Sequence, residues 1–231
     1  MKNYNTTRLA IVLTFAVIAV VYFLVKVVFK KKSITTKFIT RTAVFAAISI
    51  ILYIVPGLKF RLPFFPSFLE VHLDEIPLLI AGFAYGPWSA IFALLIKTIV
   101  KLPMTSTMCV GELADFIYSL FFIIPAAIIY KKKRNFKGVF IGLAVGTVFQ
   151  ILAASFITTF LILDFYMAVM HLPEAAIMGM VRAAGINIPN LRWPFLYAVG
   201  LPFNAFKDAI VIAATLLLYK RVHKLVEKVT M

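Results

Sequence analysis

Residues 76–96 read IPLLIAGFAYGPWSAIFALLI and carry no charged side chain. A stretch of this length can cross a hydrocarbon core of about 30 Å as one helix. Gly86-Pro87 lies in its middle, however, and such a pair bends or ends a helix because proline lacks a donor and glycine loosens the backbone. The stretch is therefore either one membrane span or the meeting point of two.

The positions of the basic clusters decide between one span and two. Lysine and arginine concentrate at 26–41, 131–137 and 220–228, and cytoplasmic loops of membrane proteins are enriched in these residues. If all three clusters face one side, an even number of helices separates the first from the second. A break at Gly86-Pro87 supplies that number, and we predict spans at 42–56, 75–86, 88–102 and 110–130.

Composition agrees with an all-α integral membrane protein. Hydrophobic residues make up 63% of the 231 positions, charged residues 14%, and the mean hydropathy is +1.00, which excludes an ordinary soluble enzyme. Further apolar runs predict spans at Leu9–Val25, Gly138–Leu163 and Trp193–Tyr219. The prediction is seven helices, a multi-pass protein of the cell membrane with its amino terminus outside and its carboxyl terminus in the cytoplasm.

This arrangement leaves two long outer loops, 57–74 and 164–192. Pro173 and Gly185 bracket a short helix in the second loop, because proline favours the start of a helix and glycine the position after its end. Residues 1–41 then form an extra amino-terminal helix with a basic cytoplasmic linker. Residues 42–231 contain the other six predicted helices.

Several activities are not expected. The lone Cys109 cannot form an internal disulfide or a multi-thiolate metal site, and the three histidines are scattered, so we expect no metal and no cofactor. No phosphate-binding loop, dinucleotide motif or nucleophile elbow is present. The net charge of +15 is explained by cytoplasmic loops, so we expect neither an enzyme nor a nucleic-acid partner, only surrounding lipid.

Four charges flank a short turn between two predicted spans. Lys97 and Lys101 share one helix face, and so do Glu112 and Asp115. Charges at membrane depth are costly unless they are paired or hydrated. They either neutralise one another across the hairpin or contact a polar ligand.

A second polar group lies on the last span. Asn204, Lys207 and Asp208 occupy one helical turn and present an amide, an ammonium group and a carboxylate to one region. An amide and an ammonium group can read the edge of a heteroaromatic ring. The alternative is simple compensation of Lys207 by Asp208 or by Asp164.

Several short motifs together resemble one transporter family. They are an Ala-rich helix from Thr42, Leu73-Asp74-Glu75-Ile76-Pro77, Gly86-Pro87, Gly111-Glu112-Leu113-Ala114-Asp115-Phe116, Pro202-Phe203-Asn204-Ala205-Phe206-Lys207 and Tyr219-Lys220-Arg221. The chain from Thr42 to Arg221 resembles the riboflavin-binding S components of energy-coupling factor (ECF) vitamin importers. The resemblance implies a six-helix core that captures riboflavin, with flavin mononucleotide as a further ligand. It also implies a membrane coupling subunit and two ATP-binding subunits as partners.

The resemblance also assigns roles to residues. Asn204 and Lys207 are similar to contacts of the flavin ring, while Thr158 and Thr159 stand where an asparagine is expected in the fifth helix. Glu112 and Asp164 complete the expected substrate site. Docking on the coupling subunit would use Ala43, Ala46 and Ala47; Ala43 and Ala47 share one face, and small residues allow close helix approach in lipid.

Other functions remain open at this stage. The two threonines allow an S component for another vitamin, for example pantothenate or folate. A stand-alone ion-coupled transporter would show inverted repeats, and the two halves lack convincing self-similarity. A membrane enzyme acting on lipid or prenyl phosphates would carry acidic motifs on the cytoplasmic side, whereas the acids here face the other side. The last alternative is an assembly protein that binds no ligand.

Overall fold

The computed structural model describes the backbone of residues 35–230 and the side chains up to Arg221. Its helices are α1 (Thr36–Ile54), α2 (Glu75–Tyr85), α3 (Pro87–Lys101), α4 (Val110–Lys132), α5 (Phe136–Ala168), α6 (Glu174–Ala183) and α7 (Trp193–Phe195, continuing through Leu196–Gly200 and Leu201–Thr230). The predicted span Leu9–Val25 and most of the basic linker lie outside the described residues. Within the described part the architecture is helical, with one isolated antiparallel bridge between Phe60 and Val71.

Five of these helices, α1, α3 with its last turn, α4, α5 and α7, are long and apolar enough to cross a membrane. The predicted span 75–86 is helical, but α2 has only 11 residues, about 17 Å at 1.5 Å per residue. It cannot cross a bilayer alone. Its first residue, Glu75, and the preceding Asp74 are buried, so α2 begins inside the bundle instead of at its surface.

The break at Gly86-Pro87 is confirmed. Gly86 has φ +90°, a left-handed conformation that glycine adopts without the steric cost of a Cβ. Its N–H closes the end of α2 on the carbonyl of Gly82 at 3.0 Å. Pro87 then occupies the first position of α3, where its missing N–H costs nothing. The chain therefore reverses between α2 and α3.

Two predicted boundaries are wrong. α1 begins at Thr36 and not at residue 42, because the Thr35 hydroxyl accepts a hydrogen bond from the Phe38 N–H and caps an earlier start. The outer loop predicted at 164–192 begins later, because α5 continues to Ala168 through a π-helical turn, Thr158–Ile162. The short helix expected between Pro173 and Gly185 is present as α6.

The helices alternate in direction, so the bundle has two ends. The end of α1 and the starts of α2, α4 and α7 lie at one end, which we call the cavity end. The start of α1, the corner between α2 and α3, and the end of α4 lie at the other, the basic end. Between the two ends, α4 packs closely on α5. A Cβ on Gly142 would lie 2.7 Å from the Ala126 carbonyl oxygen, so only glycine permits this close approach of the two helices.

Candidate ligand cavity

A cavity of about 480 Å³ opens at the cavity end. Its size lies within the roughly 300–1,000 Å³ of small-molecule sites. Its walls are mostly apolar or aromatic, with polar groups on α4, α5 and α7. Among the lining residues are Tyr53, Phe68, Leu69, Tyr118, Ile162, Leu163, Tyr166, Phe195, Phe203, Thr158, Asn204 and Lys207. Such a surface suits a flat, largely apolar ligand with a polar edge.

The segment 57–74 forms one wall of the cavity. The Phe60–Val71 bridge closes it into a hairpin-like loop through N–H···O distances of 3.2 and 2.8 Å. Phe65 packs edge-on against Phe203 of α7 at 5.3 Å between ring centroids, and Phe68 stacks on Phe195 at 6.4 Å. The loop is thus held against α7 by aromatic contacts that separate without breaking a helix.

Two titratable groups of this loop have shifted pKa values. Burial acts to raise the pKa of Glu70, but hydrogen bonds from Lys59 at 2.8 Å and Arg61 at 2.6 Å outweigh it and hold the pKa below 4.5. Burial lowers the pKa of His72 below 6.5 against the opposing attraction of Asp74. The His72 Nδ1 is buried and has no hydrogen-bond partner among the described residues, and the His72 ring packs on Tyr53 at 4.8 Å between ring centroids.

Hydrogen bonds and an ion pair within the protein hold the polar side chains of α7, Asn204 and Lys207, in place. The Asn204 side-chain amide donates to the Ser155 hydroxyl at 3.1 Å and to the Gly200 carbonyl at 2.9 Å. Both amide hydrogens are thereby used, which leaves the carbonyl oxygen to accept from a ligand. The Lys207 ammonium group lies 3.2 Å from Glu75. The alternative interpretation, compensation of Lys207 by Asp208 or by Asp164, is therefore wrong, because the ion-pair partner of Lys207 is Glu75 on α2.

Glu75 is the centre of a buried polar network beneath the cavity. One of its oxygens accepts hydrogen bonds from Ser119 of α4 at 3.0 Å and Gln150 of α5 at 2.6 Å, in addition to Lys207 of α7. Four helices therefore meet at one carboxylate. A hydrogen-bonded group of this kind specifies a single packing of the bundle, because each donor left alone would be costly in a low-dielectric interior.

A second buried ion pair joins α2, α3 and α4. Lys97 donates to Asp74 and, at 2.7 Å, to Asp115, and its ammonium group lies 4.4 Å from the centre of the Tyr53 ring. The expected neutralisation across the α3–α4 hairpin is thus observed for Lys97 with Asp115. It is wrong for Lys101 and Glu112, since Glu112 instead accepts from the Thr105 and Thr107 hydroxyls at 2.8 and 2.9 Å.

Asp208 stands apart from both networks. Its side chain is fully buried, and neither carboxylate oxygen accepts a hydrogen bond in the described part of the chain. It does not line the cavity. The turn that was expected to present three polar groups to one region therefore presents two.

The cavity includes four of the six residues predicted to bind substrate. Asn204, Lys207, Thr158 and Glu112 line it, and the Thr158 hydroxyl lies 3.0 Å from the Tyr118 hydroxyl. Thr159 and Asp164 are not among its lining residues. The Thr159 hydroxyl donates back to the Ser155 carbonyl at 2.7 Å, and Asp164 pairs with Arg192 at 3.0 Å on the outer surface.

Sequence reasoning missed several residues around the cavity. Asp74 and Glu75 were quoted only as a motif, although two adjacent acids before an apolar helix are a signal for buried ion pairs. Tyr118 and Tyr166 resemble other aromatic residues of membrane helices, so nothing in the sequence distinguishes them. Two π-helical turns, Thr158–Ile162 and Leu196–Gly200, also border the site; such turns are frequent at functional sites and leave no clear sequence pattern.

The three alanines predicted for docking do not share one environment. Ala43 and Ala47 are exposed on α1, whereas Ala46 is 1% exposed and packs in the core. The placement of Ala46 thus does not support a direct contact with a partner. No group of three or more histidine, cysteine or acidic side chains able to hold a metal ion occurs among residues 35–221.

Comparisons with known proteins agree with this geometry. The chain is 26% identical over 189 residues to the riboflavin transporter RibU of Staphylococcus aureus, covering 82% of this chain and 93% of the relative. It is 26% identical to the riboflavin transporter FmnP of Bacillus subtilis, covering 82% and 95%. A solved structure of the S component of a bacterial ECF transporter superposes with a TM-score of 0.64 at 25% identity, covering 82% of this chain and 96% of that one.

The family assignment follows from the extent of the match. The model of the family described as "ECF transporter, substrate-specific component" covers residues 37–219, which include every residue that lines the cavity. The matched relatives are transporters. The chain belongs to the substrate-specific components of ECF transporters.

Proposed function

We propose that this protein captures riboflavin at the outer face of the cell membrane and delivers it through an ATP-driven ECF complex. One observation carries the proposal: an aromatic cavity of about 480 Å³ has Asn204 and Lys207 on one edge. The two matched relatives named as riboflavin transporters support the choice of ligand.

The chemistry of riboflavin fits the lining. The isoalloxazine ring is flat and largely apolar, so Phe195, Phe203 and Tyr166 would bury it. Its polar edge offers one N–H donor and carbonyl acceptors. The Asn204 carbonyl oxygen would accept the N–H, and Lys207 would donate to a ring carbonyl.

The mouth of the cavity suits a polyhydroxyl chain. Ser106, Thr107 and Glu112 line it near the start of α4 and can exchange hydrogen bonds with the ribityl hydroxyl groups. Lys101 and Arg61 also line the cavity, so flavin mononucleotide is a natural second ligand to titrate. A phosphate would meet cations there.

Energy must come from partners. The sequence has no phosphate-binding loop, and membership of the family implies a membrane coupling subunit with two ATP-binding subunits. The proposed docking face is the face of α1 that carries Ala43 and Ala47, both of which are exposed. In this orientation the cavity end faces outward and the basic end faces the cytoplasm, as the positive-inside rule predicts.

Adjacent threonines of α5 provide a matched test of the site. Thr158→Val removes a hydroxyl from the cavity lining and Thr159→Val removes one that faces Ser155. We expect Thr158→Val and Asn204→Ala to weaken riboflavin binding about fivefold or more, the effect of losing one hydrogen bond. Thr159→Val should leave the affinity unchanged. Quenching of riboflavin fluorescence by the purified variants measures this.

Two results would count against the proposed site. If all three variants bind riboflavin as tightly as the wild-type chain does, the ligand does not contact this edge. A loss in Thr159→Val as large as in Thr158→Val would show that affinity follows the stability of α5 and not cavity chemistry. Titrating pantothenate and folate in parallel separates a wrong site from a wrong vitamin.

A further inference from the structure

A second cavity, of about 640 Å³, lies at the basic end. It is enclosed by the start of α1, the corner between α2 and α3, and the end of α4. We call it the basic cleft, and its lining residues are Thr35, Lys37, Phe38, Arg41, Gly82, Phe83, Ala84, Tyr85, Gly86, Pro87, Trp88, Tyr130, Lys131 and Arg134. It is separate from the proposed riboflavin site, which is at the other end of the same helices.

The charge of the basic cleft has one sign. Lys37, Arg41, Lys131 and Arg134 contribute four cations, and no aspartate or glutamate is among the lining residues described. Arg41 holds its guanidinium group 5.0 Å above the ring of Tyr85, which fixes its direction through a cation–π contact. Cations gathered around a cavity whose described lining contains no carboxylate attract an anion.

The surface beside the cleft is apolar and continuous with it. On α1, Lys37 and Arg41 are four residues apart and are followed on the same helix face by Val44 and Ile48. Val44 and Ile48 are 52% and 43% exposed, on a helix long and apolar enough to span a membrane. A ligand filling both regions needs an anionic head and an apolar tail side by side.

We propose that the basic cleft binds the headgroup of an anionic phospholipid, with its acyl chains along the α1 strip of Val44 and Ile48. Basic pockets between helix ends are a recognised type of lipid headgroup site. A soluble anion would use the cations but make no contact with the apolar strip. Trp88 and Tyr85 give the cleft the aromatic groups that favour the membrane–water interface.

Trp88 allows a local test, because the chain has two tryptophans and Trp193 lies near the other cavity. In a Trp193→Phe background, Trp88 is the sole tryptophan. The full chain is placed in phosphatidylcholine vesicles containing brominated phosphatidylglycerol or, at equal mole fraction, brominated phosphatidylcholine. We expect brominated phosphatidylglycerol to quench Trp88 several-fold more effectively.

Two triple variants remove the same charge from the same end of the protein. The cleft variant replaces three cations that line the cleft, by Lys37→Gln, Arg41→Gln and Lys131→Gln. The control variant replaces three exposed lysines outside the cleft, by Lys132→Gln, Lys133→Gln and Lys137→Gln. The cleft variant should lose about tenfold in apparent affinity for phosphatidylglycerol relative to phosphatidylcholine. The control variant should keep most of that preference. All six side chains are exposed, so both variants should fold, as circular dichroism checks.

Three outcomes would overturn the proposal. Equal loss in both triple variants would reduce the effect to general surface charge. Equal quenching by the two brominated lipids would show no headgroup selectivity. Displacement of phosphatidylglycerol by millimolar inorganic phosphate would assign the cleft to a soluble anion. None of these measurements uses riboflavin, so their results are independent of whether the proposed function is correct.

Discussion

At the residue scale, a few buried charges connect several helices through hydrogen bonds and ion pairs. Glu75 is 1% exposed and receives hydrogen bonds from three helices. Glu70 also takes part in ion pairs, with Lys59 and Arg61, but these lie in the loop 57–74 and Arg61 is 62% exposed. The two glutamates therefore allow a comparison of a fully buried and a partly exposed ion pair within one chain.

Glu75→Gln should be far more destabilising than Glu70→Gln. Removing the Glu75 charge leaves Lys207 buried without its counter-charge, which costs about 3–5 kcal/mol. The Glu70 ion pairs are partly exposed and lie in a surface loop, so they contribute about 1 kcal/mol or less each. Thermal unfolding in detergent compares the two variants. Similar unfolding temperatures would show that the Lys207–Glu75 pair is not the structural centre described here.

At the element scale, helix ends at special backbone positions determine where the chain turns. Gly86 separates α2 from α3, and its φ of +90° is the reason the reversal occurs there. A Cβ at Gly86 would meet no atom within 4 Å, so any effect of substitution comes from the backbone alone. Gly179 in α6 has equally open surroundings but an ordinary helical backbone.

Gly86→Ala should therefore destabilise the protein by about 1–2 kcal/mol, the cost of holding a residue with a Cβ in a left-handed conformation. Gly179→Ala should be neutral or stabilising, by up to about 1 kcal/mol, because alanine is the better helix former. Thermal unfolding of both variants under one set of conditions tests this. A stable Gly86→Ala protein would mean that the α2–α3 corner does not require a positive φ.

The loop 57–74 should weaken as the pH falls. The pKa of His72 is lowered in the folded protein, so the unfolded chain binds a proton more readily and stability is lost as the pH falls below 6.5. The pKa of Glu70 is also lowered, so its contribution is lost later, below 4.5. Protonation of His72 would introduce a charge beside the Tyr53 ring.

The unfolding temperature of the wild-type chain should therefore fall more steeply between pH 7.5 and pH 5.5 than that of His72→Asn, which cannot titrate in this range. Glu70→Gln keeps the His72 step and serves as the control. Parallel curves for wild-type and His72→Asn protein would show that this histidine does not control the pH response.

At the scale of the whole molecule, apolar runs and basic clusters predicted an all-helical membrane architecture, because membrane spans are governed by length and hydropathy. The break at Gly86-Pro87 and the small helix after Pro173 have direct local causes and were predictable. The extension of α5 to Ala168 was not, because a π-helical turn leaves no clear mark on an apolar sequence. The helix predicted at 75–86 is present as α2, but the burial of Asp74 and Glu75 at its start was not predicted, because their partners are remote in sequence.

The site was predictable only in part for the same reason. Asn204 and Lys207 share one helical turn, so local spacing brings them together. The pairing of Lys207 with Glu75 joins positions 132 apart, and no local pattern contains that information. Ala46 was assigned to the docking face together with Ala43 and Ala47. Ala46 precedes Ala47 by one residue, however, and therefore points to a different side of α1, into the core.

Direct titration of the purified chain with riboflavin is the first measurement to make, because it shows whether the chain binds a flavin. The account predicts a preparation that is yellow or becomes so, with saturable quenching of riboflavin fluorescence at one flavin per chain. A colourless protein that leaves the fluorescence unchanged at micromolar riboflavin would contradict it, and would show that this ECF substrate-specific component serves another ligand.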